Sequence, residues 1–170
     1  MPETKPRYQE EDLQKLLSKV MDPEIPVLSI VDLGILREVS VERGKVTVRI
    51  TPTYSGCPAM HAIENEIIKK LRLNGIQNFE VKTDFSETWT TDWMPDEAKQ
   101  KLKEYGIAPP GKAESDEDFL NNLAGKPAAV TCPYCDSSDT ELQSEFGSTA
   151  CKAQYYCHDC HEPFEHFKCI

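Results

Sequence analysis

Residues 35–73 read ILREVSVERGKVTVRITPTYSGCPAMHAIENEIIKKLRL, and this stretch decides the fold of the first half of the chain. Ile35 to Val41 and Val46 to Ile50 alternate apolar with polar residues (Val46, Val48, Ile50), the period of strands with one buried face. Glu42-Arg43-Gly44-Lys45 between them predicts a hairpin turn, so the two strands run antiparallel. After the loop Thr51-Pro-Thr-Tyr-Ser-Gly56, the residues Met60, Ile63, Ile67, Ile68 and Leu71 recur at helical spacing. They predict an amphipathic helix from Pro58 to Leu73, closed near Asn74-Gly75.

Outward from this centre, Leu13, Leu16, Leu17 and Val20 form the stripe of an earlier helix, expected from Glu10 to Met21 and ended by Asp22-Pro23 and Ile25-Pro26. Phe79, Val81 and Thr83 alternate as a third strand. Pro95 opens a short helix that Gly106 closes after Tyr105. The order helix, strand, strand, helix, strand, helix predicts a small α+β domain, a three-stranded sheet with packed helices, over 1–108. Pro109-Pro110-Gly111 and the acidic run Glu114 to Asp118 read as a solvated linker over 109–128, and a cysteine-rich unit follows over 129–170.

The chain has 170 residues, of which 39% are apolar, and a net charge of −10. Such a charge repels phosphate backbones and anionic lipid, so nucleic acid and membrane surfaces are poor partners. The first residues lack the apolar segment of a secretory signal, and no stretch is apolar enough to span a membrane, so a cytosolic protein is expected. Seven cysteines in a reducing compartment point to metal or thiol chemistry rather than to disulfides.

Six of the seven lie in the last unit, which is too short to build a core without a staple. Cys132-Pro-Tyr-Cys135 and Cys157-His-Asp-Cys160 are two C-x-x-C pairs whose separation lets two knuckles converge on one tetrahedral ion. A closed four-thiolate shell predicts structural Zn²⁺ in a zinc ribbon, with a single iron of rubredoxin type as the alternative. Each knuckle calls for a residue tolerant of positive φ after its second cysteine, and those places hold Asp136 and His161. Cys151 and Cys169 are left over, as packing residues or as a second metal or cluster site. In this unit Lys152 and Lys168 face seven carboxylates (Asp136, Asp139, Glu141, Glu145, Asp159, Glu162 and Glu165), which favours protein contact over nucleic acid.

Cys57 stands alone in the first unit, just before Pro58 and the second helix. Free amides and the positive end of a helix dipole favour the thiolate there, and Thr51, Thr53, Tyr54 and Ser55 bring hydroxyls nearby. A buried cysteine acting as a small hydrophobe is the plainer reading. His61 lies one turn further on the same helix, and Asp22, Glu24 and Asp32 border the proline-broken loop.

Asp22-Pro-Glu-Ile-Pro26, Val31-Asp-Leu-Gly-Ile35 and Thr51-Pro-Thr-Tyr-Ser-Gly-Cys-Pro58 together resemble the MIP-eighteen or DUF-fifty-nine family of iron-sulfur assembly proteins, over about residues 9–108. Trp89-Thr-Thr-Asp-Trp-Met94, Tyr105-Gly-Ile-Ala-Pro109, Ser144 to Lys152 and Phe164 to Ile170 look like its PaaD branch, from phenylacetate degradation. The resemblance implies a reactive cysteine, here Cys57, at a helix start beside the Asp-Pro-Glu loop. It also implies a role in maturing phenylacetyl-CoA epoxidase, whose oxygenase and reductase components would be the partners.

The sequence then leans to an accessory factor; a thiol enzyme with Cys57 as nucleophile ranks last, because no convincing base and orienting partner accompany it. Cys57 transiently binds iron or an iron-sulfur cluster, Asp22, Glu24, Asp32, Thr51 and Thr53 shape its pocket, and the ribbon docks the client. A stoichiometric structural subunit of the epoxidase is the alternative. A homodimer bridging a cluster through two copies of Cys57 is left open, and His61 receives no role.

Overall fold

The computed structural model describes residues 8–111 and 130–168, and the chain divides into two compact units, Met1–Trp89 and Thr90–Ile170. Among the described residues, no helix is long and apolar enough to cross a membrane.

The first unit holds α1 (Glu10–Leu17), β1 (Leu36–Glu42), β2 (Lys45–Ile50), α2 (Ala59–Leu73) and β3 (Phe79–Thr83). β1 and β2 are antiparallel, with Val39 opposite Val48 and Glu42 opposite Lys45. The turn between them is Arg43-Gly44, both at positive φ (49° and 78°), as a tight two-residue hairpin loop requires. β3 lies parallel to β2, Val81 opposite Val48, so α2 is the crossover between them and the sheet order is β1-β2-β3. Leu13 and Leu17 of α1, Val39, Val46, Val48 and Ile50 of the strands, and Ile63, Ile67 and Leu71 of α2 are all buried. The alternation and the helical stripe read from the sequence are thus the two faces of one core.

α1 is shorter than its stripe. It ends at Leu17, where Ser18 Oγ donates to the Lys15 carbonyl at 2.9 Å, and Val20 stays buried in the following loop. There the Ile30 amide donates to the Val20 carbonyl and the Asp22 amide to that of Leu28, so the chain leaves helical pairing for loop pairing before the prolines arrive. Trp89 closes the unit, buried, with Nε1 donating to the Leu33 carbonyl at 2.7 Å.

The second unit contains α3 (Asp96–Tyr105), β4 (Ile107–Ala108), β5 (Thr140–Ser144), β6 (Lys152–Cys157) and β7 (Pro163–Phe167), with sheet order β4-β7-β6-β5. β5, β6 and β7 form an antiparallel meander, and β4 joins its edge parallel to β7, Ile107 opposite Glu165. Sequence boundaries at 108 and 129 follow composition, whereas the contacts group residues from Thr90 onward with the cysteine-rich segment. The reason is a strand of two residues whose partner lies 58 positions away, a pairing that no local periodicity can signal. The linker expected over 109–128 lies almost entirely outside the described residues.

Candidate metal centre and thiol site

Cys132, Cys135, Cys157 and Cys160 bring their four sulfurs within 4.8 Å of one another. Cys132 and Cys160 Sγ are 3.7 Å apart, and Cys135 and Cys157 Sγ are 3.5 Å apart. A tetrahedron with metal–sulfur bonds of about 2.3 Å has edges of about 3.8 Å, so the four thiols fit a single four-coordinate ion.

Two matching knuckles build this geometry. The Asp136 amide returns to the Cys132 carbonyl (3.1 Å) and the His161 amide to the Cys157 carbonyl (3.0 Å). Each chain reversal places the residue after the second cysteine in the left-handed region, Asp136 at φ 60° and His161 at φ 61°, the two positions singled out in the sequence. Backbone amides turn toward the sulfurs: Ser137 donates to Cys135, Glu162 to Cys160, and both Cys160 and Asp159 to Cys157. Amide donors of this kind stabilise thiolate ligands. Led by the Cys160 amide, they hold the Cys157 thiol down at about 7, whereas burial pushes the Cys160 thiol up to about 12. Four thiolates packed this closely need a cation among them to ionise together.

The sheet backs the centre. Ala108 of β4, Ala153 and Tyr155 of β6 and Phe164 of β7 are buried with Cys132 and Cys157, and the Tyr155 and Phe164 rings stack at 5.7 Å. His166 donates through Nδ1 to the Ala108 carbonyl at 3.2 Å, tying β4 to β7 by a side chain as well as by the ladder. α3 is tied in at its end: Lys103 pairs with Asp136, and Gly106, at φ 90°, lies under the ring of Tyr134. The sequence marks Gly106 as the end of this helix, and the left-handed backbone there agrees, but its close approach to Tyr134 joins residues 28 positions apart and carries no local signal.

Cys151 stands outside the four-sulfur group. It is buried at the start of β6, its Sγ 3.1 Å from Thr149 Oγ1. Cys169 lies outside the described residues.

Cys57 is half-buried at the end of the 51–58 loop. Its amide donates to the Tyr54 carbonyl and its carbonyl accepts from the Met60 amide, so it sits in the first turn leading into α2. Gly56 before it takes φ 90° and faces open space, leaving the loop uncovered on that side. Thr51 is buried, its amide bonded to the Ile35 carbonyl, and Thr53 is half-buried. The carboxylates shape loops. Asp22 Oδ1 accepts from the Glu24 and Ile25 amides, both at 2.8 Å, and Asp32 Oδ2 accepts from the Ser29 amide and hydroxyl, both at 2.9 Å. Glu24 is half-buried and His61 exposed. Among the described residues these groups do not converge with Cys57 as a set of three or more ligands. A groove of about 330 Å³ in this unit lies elsewhere, between α1 and β1, lined by Gln14, Lys15, Ser18, Leu36 and Arg37 among others.

An α+β unit with one cysteine at a helix start, joined to a four-cysteine ribbon, defines the class, and comparison with known proteins agrees. The model for iron-sulfur cluster assembly proteins matches residues 10–83, and the model for the PaaD zinc beta ribbon domain matches residues 116–168. A 1,2-phenylacetyl-CoA epoxidase component of Escherichia coli (strain K12) is 45% identical over 94% of this chain and 92% of its own length. An Fe-S protein maturation auxiliary factor of Porphyromonas gingivalis is 37% identical over 55% of this chain and 90% of its own. The crystal structure of a domain of unknown function from Bacillus anthracis superimposes with a TM-score of 0.51 at 29% identity, over 55% of this chain and 90% of that one. The chain belongs to the PaaD family of phenylacetyl-CoA epoxidase components.

Proposed function

We propose that this chain is a non-catalytic maturation factor of a phenylacetyl-CoA epoxidase system that carries iron or an iron-sulfur cluster on Cys57 to the oxygenase or reductase component. The observation that carries the reading is the position of Cys57, the one cysteine of the first unit, on an open loop at the start of α2. The rest of that unit resembles maturation auxiliary factors of known relatives. An accessible sulfur suits a soft cargo and needs no general base. In this reading Asp22, Glu24, Asp32, Thr51 and Thr53 hold the loops around Cys57 in shape. The ribbon's four cysteines hold Zn²⁺, which supplies a cross-link and no reactive position, since four thiolates close its shell. Cys151 supports the ribbon from within.

The test is iron per oxygenase chain and per reductase chain, with phenylacetyl-CoA turnover, in three strains: lacking this chain, with wild type, and with Cys57→Ser. Delivery predicts folded but iron-poor components in the first and third strains and full loading in the second. Full iron loading without the chain ends the delivery reading. If that loading comes with low turnover, the chain is instead a structural part of the epoxidase, the role carried by the name of the E. coli relative.

A further inference from the structure

The 145–151 loop between β5 and β6 lies at the end of the ribbon away from the metal centre, because the register sets Thr140 opposite Cys157 at one end and Ser144 opposite Gln154 at the other. It displays Phe146, 66% exposed. A single exposed apolar residue is ordinarily unremarked surface. Here the loop beneath it is fixed at every turn. Ser144 Oγ accepts from the Phe146 amide, the Gly147 amide donates to the Lys152 carbonyl (2.7 Å), and the Ser148 amide donates to Glu165 Oε1 (2.7 Å). Glu165 Oε2 in turn pairs with Lys152 Nζ at 2.9 Å, and Lys152 is only 4% exposed. A Cβ at Gly147 would stand 2.8 Å from that carboxylate.

Burying an ion pair in a unit this small is a costly way to fill space, since apolar residues of like volume serve stability as well or better. What the pair does here is hold one loop in one shape. A ring presented on such a loop has little freedom left to lose when it is covered, which is the property of an interface anchor. Lys168 completes the arrangement, its ammonium 4.7 Å from the Phe146 ring centre and donating to the Glu145 carbonyl at 3.0 Å. With Lys152 buried, Lys168 is the cation that the described ribbon residues still offer a partner, on a unit otherwise rich in carboxylates.

We propose that this end of the ribbon is a protein-docking surface in which Phe146 enters an apolar pocket of a folded partner and Lys168 meets a carboxylate on the pocket's rim. The proposal rests on the accessory-factor reading and adds which surface engages the client. Charge selects the partner: a surface acidic throughout repels the chain, and a basic one is not drawn to this end by Lys168.

The experiment measures binding of the full, metal-loaded chain to purified epoxidase oxygenase and reductase by titration calorimetry, with metal content and Cys57 labelling as checks on folding. Phe146→Ala should weaken binding by about tenfold or more, Phe146→Leu by less, and Lys168→Glu should weaken it most at low salt. Metal content should be unchanged in all three. Equal affinity for wild type and Phe146→Ala overturns the docking proposal and leaves the iron-delivery reading standing. Failure of wild type to bind either component overturns both. If sedimentation shows self-association that Phe146→Ala abolishes, the occupant is a second copy of the chain and the client assignment falls.

Discussion

Gly106 shows how much can hang on one residue. It ends α3 at φ 90°, and a Cβ there would lie 2.8 Å from Tyr134 Oη and 3.1 Å from its ring. Gly106→Ala should therefore cost about 1–2 kcal/mol for the left-handed backbone alone, and more where Tyr134 is pushed off. Urea unfolding of the metal-loaded protein measures it, and adding Tyr134→Ala should return only the part due to the clash. The cysteines act at the same scale with larger effect. Cys132→Ser should lose the bound ion and with it much of the roughly 10–16 kcal/mol of apparent binding energy that folds such a unit. Elemental analysis decides this, and unchanged metal stoichiometry would mean the ligand set is different. His166 supplies a pH dependence. Burial, more than nearby Lys168, pulls its imidazole below the ordinary value of 6.5. The folded state binds that proton less tightly than the unfolded chain does, so its contribution is complete above 6.5 and is lost as pH falls toward the folded value. Thermal melts of wild type and His166→Gln on either side of 6.5 should converge on the acid side.

At the scale of elements, β4 is the piece with most to teach. Ile107 and Ala108 are 5% and 1% exposed, and Ala108 packs with Cys132 and Cys157 behind the metal centre. A fragment of residues 90–170 should fold on binding metal. One beginning at residue 128 should bind the ion yet leave the edge of β7 open, and hydrogen exchange at Glu165, whose amide lies on the β4 side of β7, should be faster in the shorter fragment. The elements that were legible in the sequence are those whose signal is local. The alternation of Val46, Val48 and Ile50 became a strand, the stripe of Ile63, Ile67 and Leu71 became a helix face, and the paired C-x-x-C spacings brought four sulfurs together. Even the unusual backbone at Asp136 and His161 could be read, because knuckle geometry is a matter of four adjacent residues. What was not legible depended on residues far apart in the chain. α1 stopped short because loop pairing with Ile30 outcompeted another turn of helix, and β4 waited on β7.

For the molecule as a whole, charge sets what it can meet. A net charge of −10 on 170 residues leaves no counterion release to drive attachment to phosphate backbones. The full chain should pass a duplex DNA column unretained at about 0.1 M salt, where the Debye length is about 10 Å; retention would reopen the ribbon as a nucleic-acid module. The same acidity makes specific docking depend on where its cations stand, and Lys168 stands beside the exposed ring of Phe146.

The parallel edge of the ribbon also sets an order of events during synthesis. Ala108 leaves the ribosome 55 residues ahead of Pro163, where its partner strand begins, an interval of about 3–11 s at ordinary elongation rates. By the close of that interval all four metal ligands have been made, while β4 still has nothing to pair with. In the order of synthesis the four ligands are therefore complete before the strand that closes the sheet edge, and a chain truncated after Glu162 should still carry the whole ligand set with that edge unpaired.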